Sequence, residues 1–337
     1  MATTTHSSAG GNINAKAGTD GVLRKQHWAK NLVDYGPEIS LFVLCFSLSF
    51  LTDTFFSFRN LLNVLDQLTV LGIMALGMTA VIVIGGIDLS VGSVMALSMM
   101  VMGWMSNIIG IPMPLCIVAA LIVGALCGLG SGLLITHARL PAFIATLATM
   151  SIGRGLANMV TDGSQIVGYP DWFSAMSINR HFGFLSITVA LFIVLTAVAG
   201  VFMKYRAAGR SLYAIGGSAE VARLAGIPVR KVTLAVYATC GLLAGLAGVV
   251  MSTRLDSSQP TGGMGYELDT IAAVVIGGGS LSGGVGTIWG TLMGVLTIGV
   301  LRNGLNLLGV SPFVQQVVIG TVIVLAVAVD SNKRRIG

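Results

Sequence analysis

Ionisable side chains are scarce in this sequence, with 13 acidic and 19 basic residues among 337. Each one that falls within an apolar stretch is therefore a candidate for chemistry. Asp88 stands in the run Ile84-Gly-Gly-Ile-Asp-Leu-Ser-Val-Gly92, between two apolar segments, with Ser90 beside it. An acid at a membrane break is a functional candidate, yet aspartate is also a favoured N-cap, and both roles stand for Asp88. Arg154 lies deep in an apolar run and needs a carboxylate, a carbonyl or water. Glu267 and Asp269 open another run, where acids suit the helix dipole. Asn303 and Asn306 lie near the end of a further run. Asp88, Ser90, Arg154, Glu267, Asp269, Asn303 and Asn306 are the candidates for a polar pathway. A lining this sparse in charge suits a neutral hydroxylated solute better than an ion.

Other chemistries lack their residues. The phosphate-loop pattern G-x-x-x-x-G-K-[ST] does not occur, nor does the dipeptide Gly-Lys, so the sequence binds no ATP by that motif. G-x-S-x-G and H-E-x-x-H are also missing. His6, His27, His137 and His181 lie outside the apolar runs. Cys45, Cys116, Cys127 and Cys240 lie inside them with no CxxC spacing, and read as small buried hydrophobes. No metal site and no enzyme is expected.

The elements that must position the candidates are transmembrane helices. Hydrophobic residues make up 54% of the chain and charged ones 9%, too few to cover a soluble globule of this size. Apolar runs near the ~20 residues of a bilayer span fall at 38–56, 62–84, 89–107, 112–136, 141–160, 184–203, 232–252, 266–279, 286–306 and 312–330. The expected fold is an all-α polytopic membrane protein of about ten transmembrane helices. Ten spans place both termini on one side. With that side cytoplasmic, 14 of the 19 basic residues lie inside and four outside, Arg154 being within a span. That is the positive-inside asymmetry. Residues 1–36 read as a cytoplasmic tail, partly disordered, with a short surface helix near Trp28; no secretory signal opens the chain.

Glycine supplies 45 residues. One set recurs at four-residue spacing, as in Gly124-Gly128-Gly132, Gly241-Gly245 and Gly290-Gly294, the pattern of close helix packing. Another set marks an internal repeat: Ile84 to Gly92 matches Ile276-Gly-Gly-Gly-Ser-Leu-Ser-Gly-Gly284 as I-G-G-x-x-L-S-x-G, and Asn107 to Gly110 matches Asn306 to Gly309. Ten spans make the copies parallel; a re-entrant segment would make them inverted. Ser280 at the place of Asp88 would cap a helix equally well.

The longest inner loop, 204–231, is the least membrane-like part after the tail. Ser218 is an N-cap, Gly226 and Pro228 are stop signals, and a helix of about two turns lies between. Glu220 and Arg223 are spaced for an i,i+3 pair. So short a helix is either a capped connector or a knob offered to a soluble partner.

The chain resembles the membrane permease subunits of bacterial ATP-binding-cassette importers for ribose, arabinose, galactose, xylose and related sugars. The resemblance rests on Gly85 to Ser93, Pro141 to Thr149, Gly209-Arg210, Ala214 to Gly217, Ala222 to Gly226, Gln259-Pro260, Gly265 to Asp269, Gly277 to Gly284, Asn303 to Asn306 and Val327 to Asp330. It covers residues 37–335, implying one transmembrane domain. It implies two permease subunits, a homodimer being the natural case, with cytoplasmic ATPase subunits that carry ATP and magnesium and a periplasmic sugar-binding protein. The chain itself would be a non-enzymatic, multi-pass protein of the bacterial inner membrane, binding no cofactor and no nucleic acid. The resemblance also implies that 204–231 holds the ATPase-coupling segment, with Gly209, Arg210, Gly216, Gly217, Glu220, Ala222, Arg223 and Gly226 at its positions. The competing readings are an ion-driven sugar transporter working alone and a membrane protein without a substrate.

Overall fold

The computed structural model describes residues 36–336, so the reading of the tail lies outside the described residues. The chain is helical almost throughout. In order, the helices are α1 (Gly36–Leu51), α2 (Phe58–Val83), α3 (Val91–Gly103), α4 (Met113–Thr136), α5 (Ala142–Met159), α6 (Asp171–Ile178), α7 (Ile187–Tyr205), α8 (Ala207–Gly217), α9 (Ala219–Leu224), α10 (Val229–Leu255), α11 (Tyr266–Ile276), α12 (Ile288–Leu307) and α13 (Pro312–Ile336). A π turn, Trp104–Ile108, extends α3. Strands β1 (Ile166–Val167) and β2 (Ser257–Ser258) form one antiparallel ribbon, with Ile166 opposite Ser258.

Local chemistry sets the boundaries. Ser57, Ser186 and Thr287 each accept a backbone N–H at the starts of α2, α7 and α12. Pro112, Pro141 and Pro228 stand just before α4, α5 and α10, where a missing N–H costs nothing. Six helices are long and apolar enough to cross a membrane: α2, α3 with its π turn, α4, α7, α10 and α12. Two shorter apolar stretches are α1 and Pro312–Leu325 of α13. Helix α5 has 18 residues, Arg154 among them.

The expected span at 266–279 is corrected. Helix α11 has 11 residues, about 16 Å at 1.5 Å per residue, half of a hydrocarbon core of about 30 Å. The segment before it, 256–265, is not helical; it turns back so that Gly263 lies against Gly92 and Met95. Pro260, Gly262, Gly263 and Gly265 break the helical run there. Non-helical backbone is tolerated in a membrane bundle where protein buries it or it faces water.

Helix α2 is the axis of the molecule, buried along most of its length. Helices α4 and α10 meet through their glycines. A Cβ on Gly128 would strike the Tyr237 carbonyl, and Cβ atoms on Gly124 and Gly241 would each strike the other's carbonyl oxygen. Gly290 and Gly294 make the same approach to Gly277 and Ala273. One face of α4 and one of α7 expose Leu115, Val118, Ile122, Ile193, Val194 and Val198, the surface a lipid environment requires.

Candidate functional site

The two repeat motifs fold alike. Helix α2 ends at Val83, Gly85 takes φ +79°, and the N–H groups of Gly85 and Gly86 donate back to Ile82 and Val81. Helix α11 ends at Ile276, Gly278 takes φ +86°, and Gly278 and Gly279 donate back to Val275 and Val274. Both are Schellman caps, set one residue apart relative to the sequence match. In each copy the residue two before the conserved serine accepts that serine's N–H: Asp88 Oδ1 from Ser90 at 2.8 Å, and Ser280 Oγ from Ser282 at 3.3 Å. Asp88 Oδ1 also accepts from Ser90 Oγ at 2.6 Å, and its carboxylate is buried. Asp88 and Ser90 thus shape the turn before α3, but no side chain caps that helix, and Asp88 Oδ2 is buried without a partner, so both roles stay open for Asp88.

The breaks touch each other and the loop helices. The Gly284 N–H donates to the Val83 carbonyl at 2.9 Å. Gly283 lies against Gly85. At the other ends of the same helices, Gln67 and Leu71 of α2 line one cavity with Tyr266 and Asp269 of α11. So α2 and α11 run parallel, and the two copies of the repeat point the same way.

Helix α8, unforeseen within the 204–231 loop, seats itself under this junction. Leu212 and Ile215 are buried, and Tyr213 Oη donates to the Gly286 carbonyl at 2.8 Å. A Cβ on Gly216 would overlap the Val83 carbonyl and the Gly284 nitrogen, so only glycine permits the approach. Gly209 closes the corner between α7 and α8 against Phe202 and Met203. A Cβ on Gly217 would meet open space.

Helix α9 follows. Ser218 Oγ accepts the Val221 N–H at 3.3 Å, Gly226 takes φ +83°, and Ile227 donates to Ala222 at 3.0 Å, a second set of stop bonds. Arg223 holds both carboxylate oxygens of Glu220, at 3.1 and 2.6 Å. That bidentate bond keeps the Glu220 carboxyl below the usual carboxylate range. Ala222 is buried, while Val221 and Leu224 are 64% and 74% exposed. Two naked aliphatic side chains beside a fixed ion pair, on a capped helix, form a rigid knob. Arg210 reaches back to the Tyr205 carbonyl at 3.2 Å.

At the far ends of α2 and α12 the remaining candidates separate by role. Arg154 donates to the Pro260 and Gly262 carbonyls at 2.6 and 2.9 Å, so it fastens the non-helical segment 256–265. Glu267 Oε1 accepts the Gly265 N–H at 3.2 Å, a capping bond. Asn303 exchanges two hydrogen bonds with Asn60, at 2.9 and 2.8 Å, tying α12 to α2. Asp269 instead pairs with Arg302, and Asn306 accepts from Gln315 at 2.7 Å. Among the described residues no cluster of His, Cys, Asp and Glu could hold a metal ion.

A permease-family model, described as "Branched-chain amino acid transport system / permease component", matches residues 60–327. The chain belongs to this family. It is 46% identical over 316 residues to the ribose import permease protein of Bacillus subtilis (strain 168), covering 93% of this chain and 95% of the relative. The ribose import permease protein of Escherichia coli (strain K12) is also 46% identical, over 90% of this chain and 95% of its own. The xylose transport system permease protein of Haemophilus influenzae is 33% identical over 90% of this chain and 98% of its own. No solved structure matches.

As a permease, the chain is a multi-pass inner-membrane protein and not itself an enzyme. The structure gathers Gly216, the end of α2 and both glycine breaks into one junction. Asp88, Arg154, Glu267 and Asn303 make separate contacts and are not gathered into one site. What the sequence missed is helix α8 and the cavity lined by Gln67, Arg254, Tyr266 and Arg302. Residues so distant in sequence carry no common spacing; only Asp269 and Asn306 of that cavity stood among the candidates.

Proposed function

We propose that this permease carries a ribose-like monosaccharide inward by alternating access, driven by a separate ATPase subunit docked on α8 and α9. The relatives named for ribose and xylose support a sugar, against the amino-acid wording of the family description. The observation that carries the coupling role is the double seat of α8. Its end touches α2 and the second break together, while α9 projects two exposed aliphatic residues. A force on the knob therefore reaches both repeat copies without crossing a flexible segment.

In this reading Gly209, Arg210, Gly216, Gly217, Glu220, Ala222, Arg223 and Gly226 form the coupling segment. The α8–α9 end is cytoplasmic, as the basic residues require, and both termini lie on that side. The remaining crossings are α1, α5, α13 and the composite of 256–265 with α11, giving ten. Two permease subunits pair, and the loaded periplasmic binding protein and the ATP-closed ATPases bias one two-state membrane dimer. ATP and magnesium sit on the ATPase, and this chain holds no cofactor. Asp88, Ser90, Arg154, Glu267 and Asn303 shape the polar interior; Asp269 and Asn306 face the solute. The deciding experiment expresses the chain with its ATPase and binding protein and measures uptake of labelled D-ribose. ATP-dependent uptake and copurification with the ATPase are expected. Uptake driven by an ion gradient with the chain alone would sink this reading.

A further inference from the structure

A polar cavity of about 270 Å³ opens within the single subunit, between α2, α10, α11, α12 and α13. Its polar groups come from one stripe of each wall: Gln67 of α2, Arg254 of α10, Tyr266 and Asp269 of α11, Arg302 and Asn306 of α12, and Gln315 of α13. Leu71, Met251, Leu255 and Gly299 make the apolar remainder. Gln67 lies 16 residues before Val83 on α2, about 24 Å by helix rise, so the cavity sits in the half of the bundle away from the α8–α9 knob.

Its bonding capacity is unspent. Among the described residues Gln67 and Arg254 make no side-chain hydrogen bond. The Arg302 Nε is buried without an acceptor, although its guanidinium pairs with Asp269 and lies 5.7 Å from the Tyr266 ring. Gln315 spends its amide nitrogen on Asn306 and the Val310 carbonyl, at 2.7 and 2.9 Å, which leaves the Asn306 nitrogen free. The buried Arg302 Nε is costly in a membrane bundle unless a ligand meets it, while Gln67 and Arg254 are half-buried and Asn306 is exposed. Amides and a carboxylate beside guanidinium groups offer donors and acceptors together, which is the pattern a hydroxyl satisfies, since it both donates and accepts. A space of about 270 Å³ has room for one sugar ring. The half-length helix α11, with Asp269 in its first turn, forms one wall; discontinuous helices are where transporters place solutes.

We propose that this cavity is a binding subsite for one neutral monosaccharide in each permease subunit, on the outer half of the path. It rests on the sugar-import reading above, and the test separates the two. The full chain, with Cys45 and Cys127 replaced by serine and Asn306→Cys introduced, is placed in lipid nanodiscs and treated with a charged thiol reagent. D-ribose slows the modification saturably, about tenfold at ten times its half-protecting concentration. A Phe56→Cys control, on the exposed turn before α2, is modified at one rate with or without sugar. In cells, Gln67→Leu lowers D-ribose uptake about twofold to tenfold, the loss of one hydrogen bond, with normal membrane levels. Uptake by the native chain without protection of Asn306→Cys overturns the subsite and leaves the import reading standing. Protection without uptake does the reverse. Protection by inorganic phosphate in place of D-ribose overturns the subsite as an anion site.

Discussion

Arg154 shows how a buried charge resolves at the scale of one residue. Its guanidinium finds no carboxylate; two carbonyls of the non-helical segment 256–265 accept its hydrogen bonds. Removing it leaves those carbonyls short of partners, at about 1–3 kcal/mol each. Arg154→Met is therefore expected to lower the melting temperature of the detergent-purified permease by several degrees, with Arg154→Lys intermediate. An unchanged melting curve would show that the segment holds itself. Glu220 acts at the surface. Glu220→Lys sets two cations three residues apart on α9, and the expected outcome is loss of ATP-driven uptake with normal insertion. Retained uptake would remove α9 from the coupling role. The chemical identity of these residues was legible in the sequence, and for Glu220 so was the partner, because an i,i+3 pair is local. The partner of Arg154 was not, because Pro260 and Gly262 are more than a hundred positions away.

At the scale of elements, glycine does two jobs. On α4, Gly128 faces the Tyr237 carbonyl, while Gly130 meets nothing within 4 Å. The two give an internal control. Gly128→Leu forces α4 and α10 apart, an overpacking cost of about 1–3 kcal/mol or more, and should abolish monodisperse purification. Gly130→Leu should be tolerated. Equal behaviour of both variants would mean that the seam does not hold the bundle. The four-residue spacing predicted these faces because helical periodicity is itself local. It could not predict α8, whose first turn follows α7 by one residue and whose three glycines weaken any propensity signal. Helix α11 was over-read for the opposite reason. Hydropathy registers apolar length, whereas Gly265 and Gly277 limit the helix to half a span.

For the whole molecule the question is orientation. Val221 on α9 is 64% exposed, and Phe182, between α6 and α7, is 88% exposed. In intact cells an impermeant maleimide should label Phe182→Cys directly and Val221→Cys only after permeabilisation. The reverse pattern would invert the bundle and place the knob where no ATPase can reach it. The same orientation assigns the glycine junction to the inner half and the polar cavity to the outer half. A single subunit thus holds the proposed coupling helices and the polar cavity at opposite ends of α2.

The sequence alone settled what depends on composition and near neighbours: the membrane class, the repeat, the capped helix at 219–224 with its ion pair, and the glycine seams. Helix capping, i,i+3 pairing and hydropathy act over a few residues, so their signals are written consecutively. Tertiary structure decided that the two repeat copies run parallel and meet at Gly85 and Gly283, that Gly216 wedges beneath them, and that Gln67, Arg254, Asp269 and Arg302 converge on one cavity. Those contacts join segments up to more than two hundred residues apart, brought together by helix packing, which leaves no period in the chain.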